Sequence, residues 1–243
     1  MAVVSWKDVV DEEFGVIGDP IAHSWSPLLF DAAFAAVERK CRYIKIHCSE
    51  AEFEDAIATL KTRMKGLNIT APFKGRVRSA LGHESSVSCN VVSFEGDGQC
   101  ESFDGAGLMA ALNELQLRGR ILIIGAGGAA QAACNELAKS QEVYNWNRLG
   151  KRLASAIPAP PEVRSFDIVI NATGACPELE WTGTGSVYDL SYSATPTPFM
   201  LEATRYGWDA YDGRLMLLYQ AALTYEFWFH QPAPIEAMRE ALP

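Results

Sequence analysis

No Cys-x-x-Cys pair occurs in this 243-residue chain, whose six cysteines stand at 41, 48, 89, 100, 134 and 176. Its four histidines, His23, His47, His83 and His230, form no His-x-x-x-His or mixed Cys/His ligand spacing. A metal site is therefore not expected. Cysteines scattered along a chain of this length read as reduced, mostly buried thiols of a cytoplasmic protein. Basic residues are also few. Lys and Arg total 21 against 30 Asp and Glu, a formal net charge of −9, and that balance argues against a nucleic-acid partner. It leaves room for a small anionic ligand, which needs only a local positive patch. The most apolar run, residues 121–134, is short and broken by glycines, so no membrane span is expected. The first 14 residues hold Asp8, Asp11, Glu12 and Glu13 and no apolar segment of the signal-peptide kind.

What is present is an ordered globular composition, 49% hydrophobic and 21% charged, long enough for one large or two modest domains. Phe14-Gly15-Val16-Ile17 reads as a buried strand closed by the turn Gly18-Asp19-Pro20. Ser26-Pro27 opens a helix reaching about Arg39, with Ser26 as a plausible N-cap. Strands are expected at 43–46 and 67–70, with a helix from Ser49 between them and another over 75–81. Val91-Val92-Ser93-Phe94 and the turn Gly96-Asp97-Gly98 predict a closing hairpin. This alternation implies a largely parallel sheet. A second alternating unit follows, with helices at 107–117, 128–139 and 198–205 and strands at 121–124, 143–146, 167–170, 187–190 and 208–211. Residues 215–229 and 235–242 read as closing helices, and 158–161 as a loop.

Gly125-Ala126-Gly127-Gly128-Ala129-Ala130 fits Gly-x-Gly-x-x-Gly/Ala, and it directly follows Ile121-Leu122-Ile123-Ile124 and opens a helix. The first glycine permits the turn, the second lets a pyrophosphate approach the backbone, and the small third position lets helix and strand pack closely. The helix N-terminus then offers free N–H groups to the phosphates. An NAD site ends its second strand with Asp or Glu. Here Val143-Tyr144-Asn145-Trp146 is followed by Asn147-Arg148-Leu149-Gly150-Lys151-Arg152, three cations and no acid. Arg148 and Arg152 suit an adenosine 2′-phosphate, which favours NADP. The bland alternative, a solvated helix start, is opposed by the dipole.

Reduction of a carbonyl needs a proton donor or cation beside the forming alkoxide. No Tyr is followed four residues later by Lys, which removes one common solution. What remains is Asn68-Ile69-Thr70-Ala71-Pro72-Phe73-Lys74, with Asn68 and Thr70 on one side of an extended strand. Asp104, before Gly105 and a helix, reads equally as an N-cap. Taken singly, Lys74 reads as a surface lysine and Ser24 or Ser26 as a cap.

Together these residues resemble the shikimate dehydrogenase family. The resemblance rests on residues 15–27 (Gly15-Val16-Ile17-Gly18-Asp19-Pro20 through Ser24-Trp25-Ser26-Pro27) and on Gly66-Leu67-Asn68-Ile69-Thr70-Ala71-Pro72-Phe73-Lys74. Gly125 to Ala130, Asn147-Arg148, Asn171-Ala172-Thr173 and the stretch from Asp212-Gly213-Arg214 through Gln220-Ala221-Ala222 follow in the family's order. The resemblance implies a two-domain α/β fold. An N-terminal α/β substrate domain, residues 1–103 with 213–243, receives the last helices; an NADP-binding Rossmann domain spans 104–212, and the active site lies in the cleft between domains. It implies reversible NADPH-dependent reduction of 3-dehydroshikimate to shikimate, in aromatic amino acid biosynthesis. Ser24, Ser26, Asn68, Thr70, Asn90 and Gln220 would hold the ring hydroxyls and carboxylate, and Tyr192 would line the same pocket. Lys74 and Asp104 would form the catalytic pair. Gly125, Gly127, Gly128, Ala129, Asn147, Arg148, Arg152 and Thr173 would bind the cofactor.

Two stretches depart from the family. Val87-Ser88-Cys89-Asn90-Val91 stands where the family shows Gly-Ala-Val-Asn-Thr, and Ser102-Phe103-Asp104-Gly105 where it shows Asn-Thr-Asp-Gly. Leu149 also replaces a threonine common beside the 2′-phosphate. A related substrate such as quinate is therefore an alternative, as is a non-catalytic NADP-binding sensor.

Overall fold

The computed structural model describes residues 2–10, 14–83, 88–96 and 98–243. Asp11, Glu12, Glu13, Val87 and Asp97, named above, lie outside the described residues. The chain divides into two compact units: unit 1, Met1–Phe103 with Ala221–Leu242, and unit 2, Asp104–Gln220.

Unit 1 runs β1 (Val3–Ser5), β2 (Phe14–Gly18), α1 (Ser26–Ala36), β3 (Tyr43–His47), α2 (Phe53–Leu60), β4 (Gly66–Ile69), α3 (Val77–Ala80), β5 (Val91–Ser93) and β6 (Gln99–Glu101). Its sheet has the order β1-β3-β2-β4-β5-β6. The first four strands are parallel, and β4, β5 and β6 pair antiparallel. Alternation along the strands sorts the side chains onto two faces. Ile17, Ile44, Ile46, Leu67 and Ile69 enter one core with Phe53, Ile57 and Phe73. The ring of Tyr43 instead stacks on Phe30 of α1, with centroids 4.4 Å apart, on the other face.

Unit 2 runs α4 (Asp104–Glu114), β7 (Ile121–Ile124), α5 (Gly128–Leu137), β8 (Val143–Trp146), β9 (Ile157–Pro158), β10 (Ile168–Asn171), β11 (Ser186–Asp189), α6 (Pro198–Arg205) and β12 (Asp209–Tyr211). Its strands are parallel throughout, in the order β12-β11-β10-β7-β8-β9, the arrangement of a dinucleotide-binding sheet. Helices cover both faces, so Ile121-Leu122-Ile123-Ile124 is apolar at every position. Ile121 and Ile123 join the α4/α5 layer, whereas Leu122 and Ile124 join the layer of Phe199 and Ala203. At Gly105 a Cβ would come within 2.6 Å of Glu136 Cβ and 2.7 Å of the Ala132 carbonyl, so only glycine permits this approach of α4 to α5.

The last helices are α7 (Arg214–Phe229) and α8 (Ile235–Glu240). The sequence reading returns the chain to the substrate domain at residue 213, whereas the division between units falls inside α7, after Gln220. The reason is packing. Met216 belongs to the α4/α5 core, while Trp228 meets Phe14 at 4.6 Å and donates its indole N–H to the Val92 carbonyl at 3.0 Å.

Several local expectations need correction. Ser26 is the first residue of α1 and not its cap; Trp25 holds the cap position, and the Ser26 N–H donates to Ser24 Oγ at 3.3 Å. The helix expected over 75–81 is a 3-10 turn at Phe73–Gly75 followed by the four residues of α3. α4 begins at Asp104, three residues before the expected start, so Asp104 is not an N-cap ahead of the helix. β1 and β9 were not foreseen, being too short to show a period. Replacing Gly107 by alanine would set a Cβ 2.9 Å from Gln220 Cβ, Gln220 N and the Met216 carbonyl. Gly107→Ala is expected to destabilise the protein by about 1–3 kcal/mol, read as a lower urea midpoint with an unchanged m-value.

Candidate active site

In unit 1 the candidate residues gather at the carboxyl ends of β2 and β4. Thr70 N donates to the Ile17 carbonyl at 3.0 Å, and Asp19 N to the Ala71 carbonyl at 3.2 Å, locking the two outgoing turns together. Gly18 allows this, because a Cβ there would overlap Thr70 Cγ2. Asn90 enters from the antiparallel side, its carbonyl accepting from Ile69 N at 2.8 Å. Cys89 N donates to the Lys74 carbonyl at 2.9 Å, so the Lys74 turn and the Asn90 strand are tied by main chain. Ser24 and Ser26 are buried, with their hydroxyl oxygens 3.3 Å apart. Unit 1 thus brings together Ser24, Ser26, Asn68, Thr70, Lys74 and Asn90 on turns that share hydrogen bonds or strand neighbours.

Two of these side chains also build the scaffold. Tyr43 donates to Asn68 Oδ1 at 2.7 Å, while Asn68 Nδ2 donates to the Asn90 carbonyl at 3.3 Å and to Thr224 Oγ1 at 3.5 Å. Asn90 Oδ1 accepts from Phe103 N at 2.9 Å. Phe103, one of the departures from the family, turns its ring edge-on to Phe227 with centroids 5.8 Å apart. Val91, the other, is fully buried.

In unit 2 the glycine loop follows β7 as expected. Gly125 has φ +130°, a conformation that excludes most side chains. Gly127 is the extended cap residue of α5, and nothing lies within 4 Å of where its Cβ would be. The loop is therefore open on the side from which a phosphate would approach. Asn145, buried in β8, holds it in place: Nδ2 donates to the Ile123 and Gly125 carbonyls, both at 2.9 Å. Asn147 continues the brace, donating to Asn145 Oδ1 at 3.0 Å and accepting from Lys151 N at 3.0 Å. Arg148 and Arg152 are exposed, and among the described residues neither makes an ion pair. Residues 147–152 start no helix, so the dipole argument made for this segment does not apply. The basic excess there stands on composition and on these exposed guanidiniums. The open glycine loop and the acid-free basic turn together fit a dinucleotide carrying an extra phosphate.

Thr173 sits beside this loop but its hydroxyl serves its own turn, donating to Asn171 Oδ1 at 2.7 Å and accepting from Ala175 N at 3.1 Å. Tyr192 is half-buried after β11, in a segment anchored by Asp189, which accepts from Ser191 N and from the Thr197 hydroxyl. Burial raises the Asp189 pKa above the ordinary carboxylate value, against those hydrogen bonds. Asp104 is buried at the start of α4. Gln220 is buried on α7, its amide donating to the Leu217 carbonyl at 3.1 Å.

Known proteins resemble this chain over most of its length. Residues 16–90 match the model of the shikimate dehydrogenase substrate binding domain, and residues 213–242 that of the shikimate 5'-dehydrogenase C-terminal domain. The shikimate dehydrogenase (NADP(+)) of Methanothrix thermoacetophila is 32% identical, over 94% of this chain and 96% of its own. That similarity decides the family. The chain belongs to the shikimate dehydrogenases. The family member from Natronomonas pharaonis is 29% identical over 94% of this chain and 97% of its own. Among solved structures, shikimate 5-dehydrogenase from Thermus thermophilus in complex with NADP(H) and shikimate superposes with a TM-score of 0.83 at 26% identity, covering 95% of this chain and 98% of that one. An Ael1 enzyme from Pseudomonas putida superposes with a TM-score of 0.79 at 28% identity, over 96% and 99%.

Sequence reasoning missed Asn145 and passed over Asn171 as more than a motif letter. The signal was available: a polar amide inside an otherwise apolar strand has to find backbone partners when buried. Asn145→Ala would leave the Ile123 and Gly125 carbonyls without that donor and loosen the loop. The expected outcome is a KM for NADP raised about tenfold, with the KM for the second substrate little changed, measured by initial rates.

Proposed function

We propose that this protein is an NADP-dependent shikimate dehydrogenase, catalysing the reversible reduction of 3-dehydroshikimate to shikimate. The observation that carries the reading is similarity over nearly the full length to enzymes of that name, at 32% identity for the one from Methanothrix thermoacetophila. It is supported by the open glycine loop and the acid-free basic turn after β8. Gly125, Gly127, Gly128 and Ala129 would lie along the pyrophosphate, and Asn147 braces the basic turn against that loop. Arg148 and Arg152 would take the 2′-phosphate, and Thr173 would shape the loop after β10. When bound, NADPH supplies the hydride.

The chain's own residues supply orientation and a proton. Ser24, Ser26, Asn68, Thr70, Asn90, Tyr192 and Gln220 are proposed to hold the substrate. Lys74 and Asp104 are proposed as the catalytic pair. The Lys74 ammonium offers a proton, or positive charge, to the oxygen that becomes an alkoxide, and the Asp104 carboxylate would orient that amine. The substrate in this reading is a small molecule and not a nucleic acid, consistent with the net charge of −9. Among the described residues no helix is long and apolar enough to cross a membrane. A cytoplasmic location is part of the proposal, supported by six cysteines scattered along the sequence with no Cys-x-x-Cys pair.

A second reading, a quinate or mixed quinate/shikimate enzyme, is favoured by one feature. The two positions flanking the Asn90 cluster are apolar, a buried Val91 and an aromatic Phe103.

Oxidation of shikimate with NADP, followed at the reduced-nicotinamide absorbance band, tests the reading. Lys74→Ala should lower kcat by about 10²–10⁴-fold, whereas unchanged turnover would sink the catalytic assignment. Quinate assayed alongside decides between the substrates, and full activity with quinate and none with shikimate would reverse the choice. Arg148→Ala with Arg152→Ala should raise the KM for NADP by one to two orders of magnitude, on the order of 1.5–3 kcal/mol for a charge-assisted contact, and leave the KM for NAD unchanged.

A further inference from the structure

Lys45 lies at the middle of β3 and is 9% exposed. Its ammonium donates to the Ala22 carbonyl at 2.6 Å, and among the described residues it forms no ion pair. Burial moves its pKa below the ordinary lysine value. An ammonium has three N–H donors, and one is spent on Ala22. A cation drawn partly out of water without a counter-charge is costly. A sheet position like this is normally apolar, as its strand neighbours Ile44 and Ile46 are.

Its placement is informative. In register, Lys45 and Asn68 both pair with Val16, and parallel neighbours in register direct their side chains to one face. That is the face of Tyr43, which holds Asn68, and it is opposite the Ile44/Ile46 core. The carbonyl that Lys45 reaches belongs to the turn that leads into Ser24 and Ser26, where Ser24 N donates to the Ile21 carbonyl at 3.1 Å. Two buried hydroxyls are good hydrogen-bond partners for a carboxylate, but they carry no charge.

We propose that Lys45 is a positioning and specificity residue, whose part-buried positive charge behind the Ala22–Ser26 turn sets the affinity for the carboxylate of the substrate. The inference rests on the shikimate reading given above, since it needs a substrate bearing a carboxylate. A lysine kept only to tie the turn would act through its donor alone. Glutamine at that position keeps a donor and discards the charge, and so separates the two roles.

The test uses the full chain and compares shikimate with its methyl ester, which has the same ring and no negative charge. In the wild type the KM for shikimate is expected to lie well below that for the ester. Lys45→Gln should raise the KM for shikimate about tenfold or more, with kcat within about threefold and the KM values for ester and NADP unchanged. Lys45→Arg should keep the preference for the free acid. Because the acid-to-ester ratio is taken within each variant, partial loss of folded protein does not affect it. Turnover of shikimate by the wild type with an unchanged ratio in Lys45→Gln overturns this inference alone. No turnover of shikimate by the wild type overturns the proposed reaction and this inference with it.

Discussion

A parallel strand that stops leaves backbone carbonyls and N–H groups without partners, and buried amide side chains meet that deficit in both units. Asn145 donates to the Ile123 and Gly125 carbonyls. Asn171 donates to the Ala175 carbonyl and accepts from Thr173 N and the Thr173 hydroxyl. Asn68 donates to the Asn90 carbonyl, and Asn90 accepts from Phe103 N. A buried unsatisfied polar group costs about 1–3 kcal/mol, so each amide tolerates little movement of the loop it holds. The loops that leave these strands are thereby set by strand geometry, with little left to their own flexibility.

The same logic governs charge. The protein as a whole is acidic, yet the turn after β8 presents Arg148, Lys151 and Arg152 on an exposed loop, and Lys45, largely covered in β3, has no acidic partner among the described residues. Several other cations do have acidic partners. Arg76 pairs with Glu54 at 2.6 Å, and Lys7 with Glu52 at 2.6 Å. That last contact, with the Ser49 hydroxyl, holds the exposed Glu52 carboxyl down to about 2. The clustered cations after β8 make a local field in which an anion would be welcome. Small anionic ligands respond to these local fields, while the net charge discourages polyanions.

Much of the fold was legible because its signals are local. The dinucleotide unit declares itself through an apolar strand, a glycine loop and a helix in immediate succession, and the structure places β7, the loop and α5 there. α6 at Pro198–Arg205 coincides with the expected helix, since Thr197 caps it and Pro198 opens it. Legibility failed where the deciding partner is distant. Whether Ser26 caps α1 or begins it depends on Ser24 and on how the turn is held. The start of α4 at Asp104 depends on Gly105 fitting against α5. β1 and β9 exist only because a neighbouring strand offers them an edge.

The sequence by itself determined the parallel α/β character of both units, the position of the phosphate loop and the missing carboxylate after β8. Periodicity, glycine conformation and charge are properties of short segments, and they survive without knowledge of the fold. Only the tertiary structure decided that Asn68 is shared among Tyr43, Asn90 and Thr224. It also decided that Thr173 spends its hydroxyl on its own turn and that Lys45 is buried against the Ala22 carbonyl. Each of these depends on which groups burial deprives of water, and burial is settled only when elements far apart in the chain pack together.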